Sequence, residues 1–301
     1  MSLKDAIIGN EKASRMLEKS YESGKVAHAY LFEGPEHVGK ETLALAFCRL
    51  LLEDSRKNIR DNADMIFLEP NPDEKQITVE AIRDLEKNLS LYPFRSKYKV
   101  ALISQAEKMN KAASNVLLKT LEEPAKTTVM ILITSNSKNI LETIKSRCQR
   151  IKFLPVKKKT LEDFLSDKVA DRSEAERILE FAAYRPGRAV ELLENKDEIA
   201  QSLEYINRFS ALNGKSEHEK LDEAEEIAEK GADEIVKLLN LWTVYLRKTL
   251  LKEYGGQKDI QRSRNVAKIK KGIDLLSRTK EDLLTKNISV KLAIETLFLN
   301  L

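Results

Sequence analysis

Cysteine is nearly absent: Cys48 and Cys148 are the only two among 301 residues. Two thiols cannot complete a four-cysteine zinc site, and in a cytoplasmic protein a disulfide is not expected. No metal is therefore expected. Long apolar runs are missing too, and none approaches the roughly 20 residues needed to cross a bilayer. The opening MSLKDAIIGNEKASRM has no signal-peptide core, so a cytoplasmic protein without a membrane partner is expected. Nor is one sign of charge dominant: 52 Lys+Arg stand against 48 Asp+Glu, a net of +4. That balance argues against a general nucleic-acid sponge. What is present is 42% hydrophobic and 33% charged residues. Such a chain can fill two or three cores and is not intrinsically disordered. High charge with six glutamines leans toward a thermophile.

Apolar runs alternate with helical patterns up to about residue 155. The runs are Ala29–Phe32, Met65–Leu68, Val100–Ile103 and Thr128–Ile133, with a short fifth at Ile151–Phe153. They are almost continuously apolar, as strands covered on both faces must be. Helices are expected over Glu41–Glu53 and Glu107–Glu123, the second stopped by Pro124. Strand, helix, strand in series predicts a three-layer parallel α/β sandwich. After Pro155 strand signals cease. Lys157–Thr160 reads as a linker with Thr160 as N-cap, then a small helical unit broken at Arg185-Pro186-Gly187. Helices continue from about 200, with turns at Asn213-Gly214 and Gly255-Gly256. The expected domains are 1–155, 156–199 and 200–301.

Gly34-Pro35-Glu36-His37-Val38-Gly39-Lys40-Glu41-Thr42 follows a strand and opens a helix, which is the setting of a phosphate loop. Gly34 and Gly39 let backbone N–H groups face a phosphate, and Lys40 adds positive potential. The hydroxyl that should bind Mg²⁺ is replaced by Glu41; Thr42 comes one residue late. An ATPase of this type also needs an acidic pair after a later strand. Ser104 and Gln105 stand there instead, and neither is a base near neutral pH. Hydrolysis by this chain alone is not expected. Lys40 and the glycines favour ATP binding and Glu41 opposes it, so weak or no nucleotide binding is the expectation.

Three further stretches, with this loop, carry a resemblance. They are Ile8-Gly9-Asn10, the run Asn115–Pro124 ending in Leu121-Glu122-Glu123-Pro124, and Ser146-Arg147-Cys148. In this order the motifs resemble the δ′ family of bacterial DNA polymerase III clamp-loader subunits, AAA+ proteins related to the γ/τ motor subunits. Asn287–Leu297 is similar to the family's C-terminal helix. The resemblance implies an AAA+ P-loop sandwich, a small helical lid and a helical collar that oligomerises. It implies a stator without its own ATP turnover, in a ring that loads a sliding clamp on primed DNA. The implied partners are γ/τ-like motor subunits and a δ-like subunit. It also implies that Arg147, flanked by Ser146 and Cys148, reaches into a neighbour's ATP site as an arginine finger; replacing Arg150, three residues on, by Ala is expected to leave that turnover unchanged. Ser135 takes the place of a γ-phosphate sensor. Arg188 takes that of a lid sensor, or simply pairs with an acid. The usual zinc module is missing, since Glu53–Asp64 is too short to hold it. The loss is shared with δ-type clamp-opening subunits, which remain an alternative alongside an active γ/τ-type ATPase.

Charge separates near the C-terminal end. Residues 216–235 carry a net of −7 and residues 247–280 a net of +8. Two mutually attracting helix faces explain this, and a DNA or acidic-partner surface is the competing account. A stand-alone DNA-binding module would use the same stretch. Leu239, Leu241, Trp242, Leu246, Leu250, Leu292, Ile294 and Leu297 form apolar faces that serve either association or an internal core.

Overall fold

Five short strands carry the first half of the chain: β1 (Ala29–Glu33), β2 (Met65–Leu68), β3 (Lys99–Ile103), β4 (Thr128–Thr134) and β5 (Gln149–Lys152). The structure is a computed structural model; it describes all residues except 1, 57, 72–73, 196, 255–259 and 286–287, and only the backbone of 260–264 and 285. The Gly255-Gly256 turn and the Asn287 helix start therefore lie outside the described residues. The chain divides into two compact units, 1–191 and 192–301.

In the first unit all strands pair in parallel, in the order β2-β3-β4-β1-β5. Every residue of β1, β3 and β4 is buried, while edge strand β5 buries only Ile151. Alternation sorts the side chains into two layers. Tyr30, Phe32, Val100 and Ile131 meet helices α1 (Glu11–Glu22) and α2 (Lys40–Leu52) through Leu17, Phe47 and Leu51. Leu31, Ala101 and Leu132 meet α3 (Val79–Leu89), α4 (Lys111–Glu122) and α5 (Glu142–Lys145) through Ile82, Leu117, Leu121 and Ile144. The expected sandwich is what forms.

Several boundaries differ for local reasons. The expected helix from Glu107 is a 3-10 turn, Ala106–Lys108, and α4 begins later because the Asn110 side chain accepts from Ala113 N and caps it. Strand β5 starts two residues earlier than Ile151, drawn into register by β1, with Tyr30 opposite Gln149. Thr160 is not an N-cap. Helix α6 (Lys158–Ser166) starts after Lys157, and a Lys158–Glu162 pair at 3.2 Å supports that earlier first turn. Next come α7 (Arg172–Ala182) and α8 (Pro186–Glu194), with the chain turning between them just before Pro186.

The second unit is helical: α9 (Asp197–Ala211), α10 (Glu217–Ala228), α11 (Ala232–Tyr254), α12 (Ile260–Thr285) and α13 (Val290–Asn300). Its core centres on Trp242, which stacks on Phe209 at 4.8 Å and donates from Nε1 to Tyr205 O at 3.1 Å. Leu239, Ile294 and Leu297 are buried in that same core, so they are internal packing rather than a free face. Leu292 is 63% exposed. Three carboxylates of the acidic stretch find cations outside 247–280. Glu223 and Glu226 pair with Arg208, Glu223 also with Lys215, and Glu225 pairs with Lys291. For these three the expected attraction between the two stretches is replaced by closer partners. Among the described residues no helix is long and apolar enough to cross a membrane.

Candidate functional site

The phosphate-loop segment joins β1 to α2 at the carboxyl edge of the sheet. Gly34 adopts φ +154°, and a Cβ there would fall 2.3 Å from Phe153 O, so no other residue fits. Gly39, at φ +90°, is the N-cap residue of α2. Lys40, in the first helical turn, is buried and donates from Nζ to Gly34 O at 2.7 Å and to Pro35 O. Burial pulls its pKa down to about 8 against the opposing fields of Glu107 and Glu36. The lysine thus donates to the loop's own carbonyls.

Glu41 is not an isolated charge. Its carboxylate pairs with Arg60 at 2.7 Å and accepts from Ser104 Oγ at 3.4 Å. The Arg60 guanidinium lies over the Phe67 ring at 3.7 Å from its centroid. Repulsion of phosphate by Glu41 is therefore weaker than the bare sequence implies. Ser104 is buried, whereas Gln105 turns outward in a left-handed conformation. Glu107, beyond them, accepts from Ser135 N at 3.0 Å and from Ser135 Oγ at 2.5 Å. Its second oxygen is buried with no hydrogen-bond partner. The expected sensor hydroxyl is thereby already engaged.

Helix α8 closes the far side. Gly187 N donates to His37 O at 2.8 Å, and a Cβ on Gly187 would approach that oxygen to 3.0 Å. His37 Nδ1 lies 2.7 Å from Glu191, which also pairs with Arg188 at 3.0 Å. Arg188 thus takes the acidic partner expected of it. Between these groups lies a cavity of about 430 Å³, lined by Glu36, Glu41, Glu107 and Glu191 but by only one lysine, Lys40; Thr42 lines it too. A triphosphate with Mg²⁺ does not fit this wall: four carboxylates face it, and the Mg²⁺ hydroxyl position holds one of them.

Arg147 lies elsewhere, between α5 and β5. Its Nη2 donates to Glu122 at 2.6 Å, and its Nη1 to Thr143 O at 2.9 Å and Ser146 Oγ at 3.4 Å. The side chain is 34% exposed. Beside it, burial pushes the Cys148 thiol up to about 12, and that of Cys48 likewise. Neither is a thiolate near neutral pH. Arg150, the neighbour expected to be silent in ring turnover, has a structural partner within the chain. It forks onto buried Glu33, at 3.1 Å from Nε and 2.9 Å from Nη2.

Arg60, Glu107 and Glu191 were not legible as site residues, and Glu36 and His37 were given no role beyond membership of the loop. Glu107 had a signal, an acid two residues past Gln105. Arg60 and Glu191 had none, since they reach the site only through folding.

A family model described as DNA polymerase III, delta subunit, matches residues 9–157. The DNA polymerase III subunit delta′ of Bacillus subtilis is 33% identical over 69% of this chain and 66% of its own length. The chain belongs to the δ′ family of DNA polymerase III clamp-loader subunits. The δ′ subunit of Pseudomonas aeruginosa is 37% identical over 40% of this chain and 42% of its own. The chain thus spans about two thirds of one of these δ′ relatives and less than half of the other. A solved gamma-subunit-related protein of DNA polymerase III from Thermotoga maritima shares the fold, with a TM-score of 0.54 at 20% identity, covering 94% of this chain and 97% of that one. The parallel α/β sandwich is the fold that the δ′ resemblance implied.

Proposed function

We propose that this δ′-family chain is a non-hydrolysing stator of the clamp loader that lends Arg147 to a neighbouring motor subunit. The observation that carries the first half is internal pairing at the phosphate loop. Lys40 is bound to the loop's own carbonyls, Glu41 to Arg60 and Ser104, and Ser135 to Glu107. These side chains are already engaged within the chain, and neither Ser104 nor Gln105 can activate water. No cofactor is required, ATP binds weakly or not at all, and no zinc is involved. The second half is supported by a guanidinium that is partly exposed on a short, well-anchored segment. A planar fork inserted in trans can neutralise charge developing on a γ-phosphate. The partners in this reading are γ/τ-like motor subunits, a δ-like subunit and, through the ring, the sliding clamp and primed DNA. The expected division into sandwich, lid and collar at 155 and 199 belongs to the same reading.

Glu107 favours a second reading, an active γ/τ-type ATPase, because it brings a carboxylate to the cavity next to the missing pair. Its tie to Ser135 argues against a base free to turn toward water. Purified chain with ATP, Mg²⁺ and primed DNA separates the two. No turnover is expected; turnover abolished by Lys40→Ala or Glu107→Gln would establish the active enzyme instead.

A further inference from the structure

We infer that Glu122 is a positioning residue for Arg147, an assignment that rests on the reading of Arg147 as the finger. The two motifs lie 25 residues apart in sequence and meet through one ion pair, Nη2 to Oε1 at 2.6 Å. Each partner sits at the end of a fixed element. Glu122 is the last residue of α4, which stops before Pro124. Arg147 follows α5, its N–H bonded to Ile144 O at 3.1 Å. Leu121 and Ile144 lie in one buried cluster with Cys148 packed against it, so both backbones are anchored by the same core. The side chains are then held from two directions, Glu122 on Nη2 and Thr143 O on Nη1. Among the described residues Nε has no acceptor.

An arginine free to rotate loses rotamer entropy when it docks, and one already held loses less. Glu122 removes that cost before the ring closes. It does not sequester the finger. A half-exposed pair is weak, so the greater charge of a γ-phosphate with its geometry-matched oxygens outcompetes one carboxylate oxygen. The two roles predict opposite signs: positioning makes loss of Glu122 slow the neighbour, and sequestration makes it faster.

The test uses the full chain in the reconstituted ring with clamp and primed DNA, with assembly followed by size exclusion. Glu122→Ala should lower the kcat of ATP turnover at the neighbouring site about five-fold, the scale of one exposed pair, with KM unchanged. Glu122→Gln, which keeps an acceptor oxygen, should lose less. In an Arg147→Ala background Glu122→Ala should add nothing. The inference is overturned if Arg147→Ala is costly while Glu122→Ala is neutral or activating. An effect that persists without Arg147 also overturns it. A silent Arg147→Ala overturns the finger reading, and this inference with it.

Discussion

The two charged corners of the sandwich are built on opposite plans. At the phosphate loop Lys40 and Ser104 are buried, and Lys40, Glu41 and Glu107 have partners within the chain. At the other corner Arg147 keeps 34% of its side chain in solvent and is held by a half-exposed carboxylate and a backbone carbonyl. A corner whose charged side chains are mostly paired within the chain acts as a brace, even with one Glu107 oxygen left unpartnered. A corner that holds a cation lightly in one pose can give it to another chain, because little is lost when a stronger acceptor arrives. The loop geometry survives at the first corner since Gly34 and Gly187 are needed for close approach of backbone, whether or not phosphate ever binds.

Substitutions at the second corner should act on the neighbour and those at the first on this chain's own stability. The largest expected effect is Arg147→Ala, which should cut turnover at the adjacent motor site by about 10³- to 10⁵-fold, as with other fingers supplied in trans. Arg147→Lys should fail to rescue it, since the planar fork is lost. Steady-state ATP hydrolysis by the assembled ring checks both. Arg150→Ala should instead cost stability, about 1–3 kcal/mol, because buried Glu33 loses its forked partner and only partial access of water offsets that. A denaturant melt reads this, and the ring's turnover per assembled chain should not change.

Lys40 gives a comparable effect that depends on pH. Its folded pKa of about 8 lies below the ordinary lysine value of 10.5. Its charged form is therefore disfavoured in the folded chain, and stability rises as pH climbs from about 8 toward 10.5. The gain should be about 1–3 kcal/mol in wild type and absent in Lys40→Met, compared by denaturation at the two ends of that window. The smallest effect belongs to Glu41→Thr. Arg60 already offsets the carboxylate, so removing it should improve ATP affinity by roughly 1 kcal/mol and produce no hydrolysis. A titration showing a gain of several kcal/mol would mean that the Arg60 pair does not screen Glu41.

How much of this was legible follows from where the information lies. The strands were, because Thr128–Thr134 is buried at every position and reads as a continuous apolar run. The missing acids at Ser104 and Gln105 were legible too, since their place is defined by the end of β3. Thr160 misled because a run of lysines looks like a linker, yet Lys158 finds Glu162 one turn on and starts the helix early. The Arg150 ion pair was hidden because its partner, Glu33, is 117 residues away and lies on the neighbouring strand, two positions beyond Leu31, the residue paired with Arg150. The screening of Glu41 by Arg60 spans a segment that sequence described only by what it lacked. Charges that neutralise one another across the fold carry no local pattern, and so the inward pairing of the loop was not readable while the Ser104-Gln105 pair was.

The most direct test of the contrast is one measurement made on two variants: clamp- and DNA-stimulated ATP turnover of the reconstituted ring carrying Lys40→Met or Arg147→Ala, matched for assembly. The account predicts that Lys40→Met turns over ATP as wild type does and that Arg147→Ala loses the activity of the adjacent site. Loss with Lys40→Met and wild-type turnover with Arg147→Ala would contradict it.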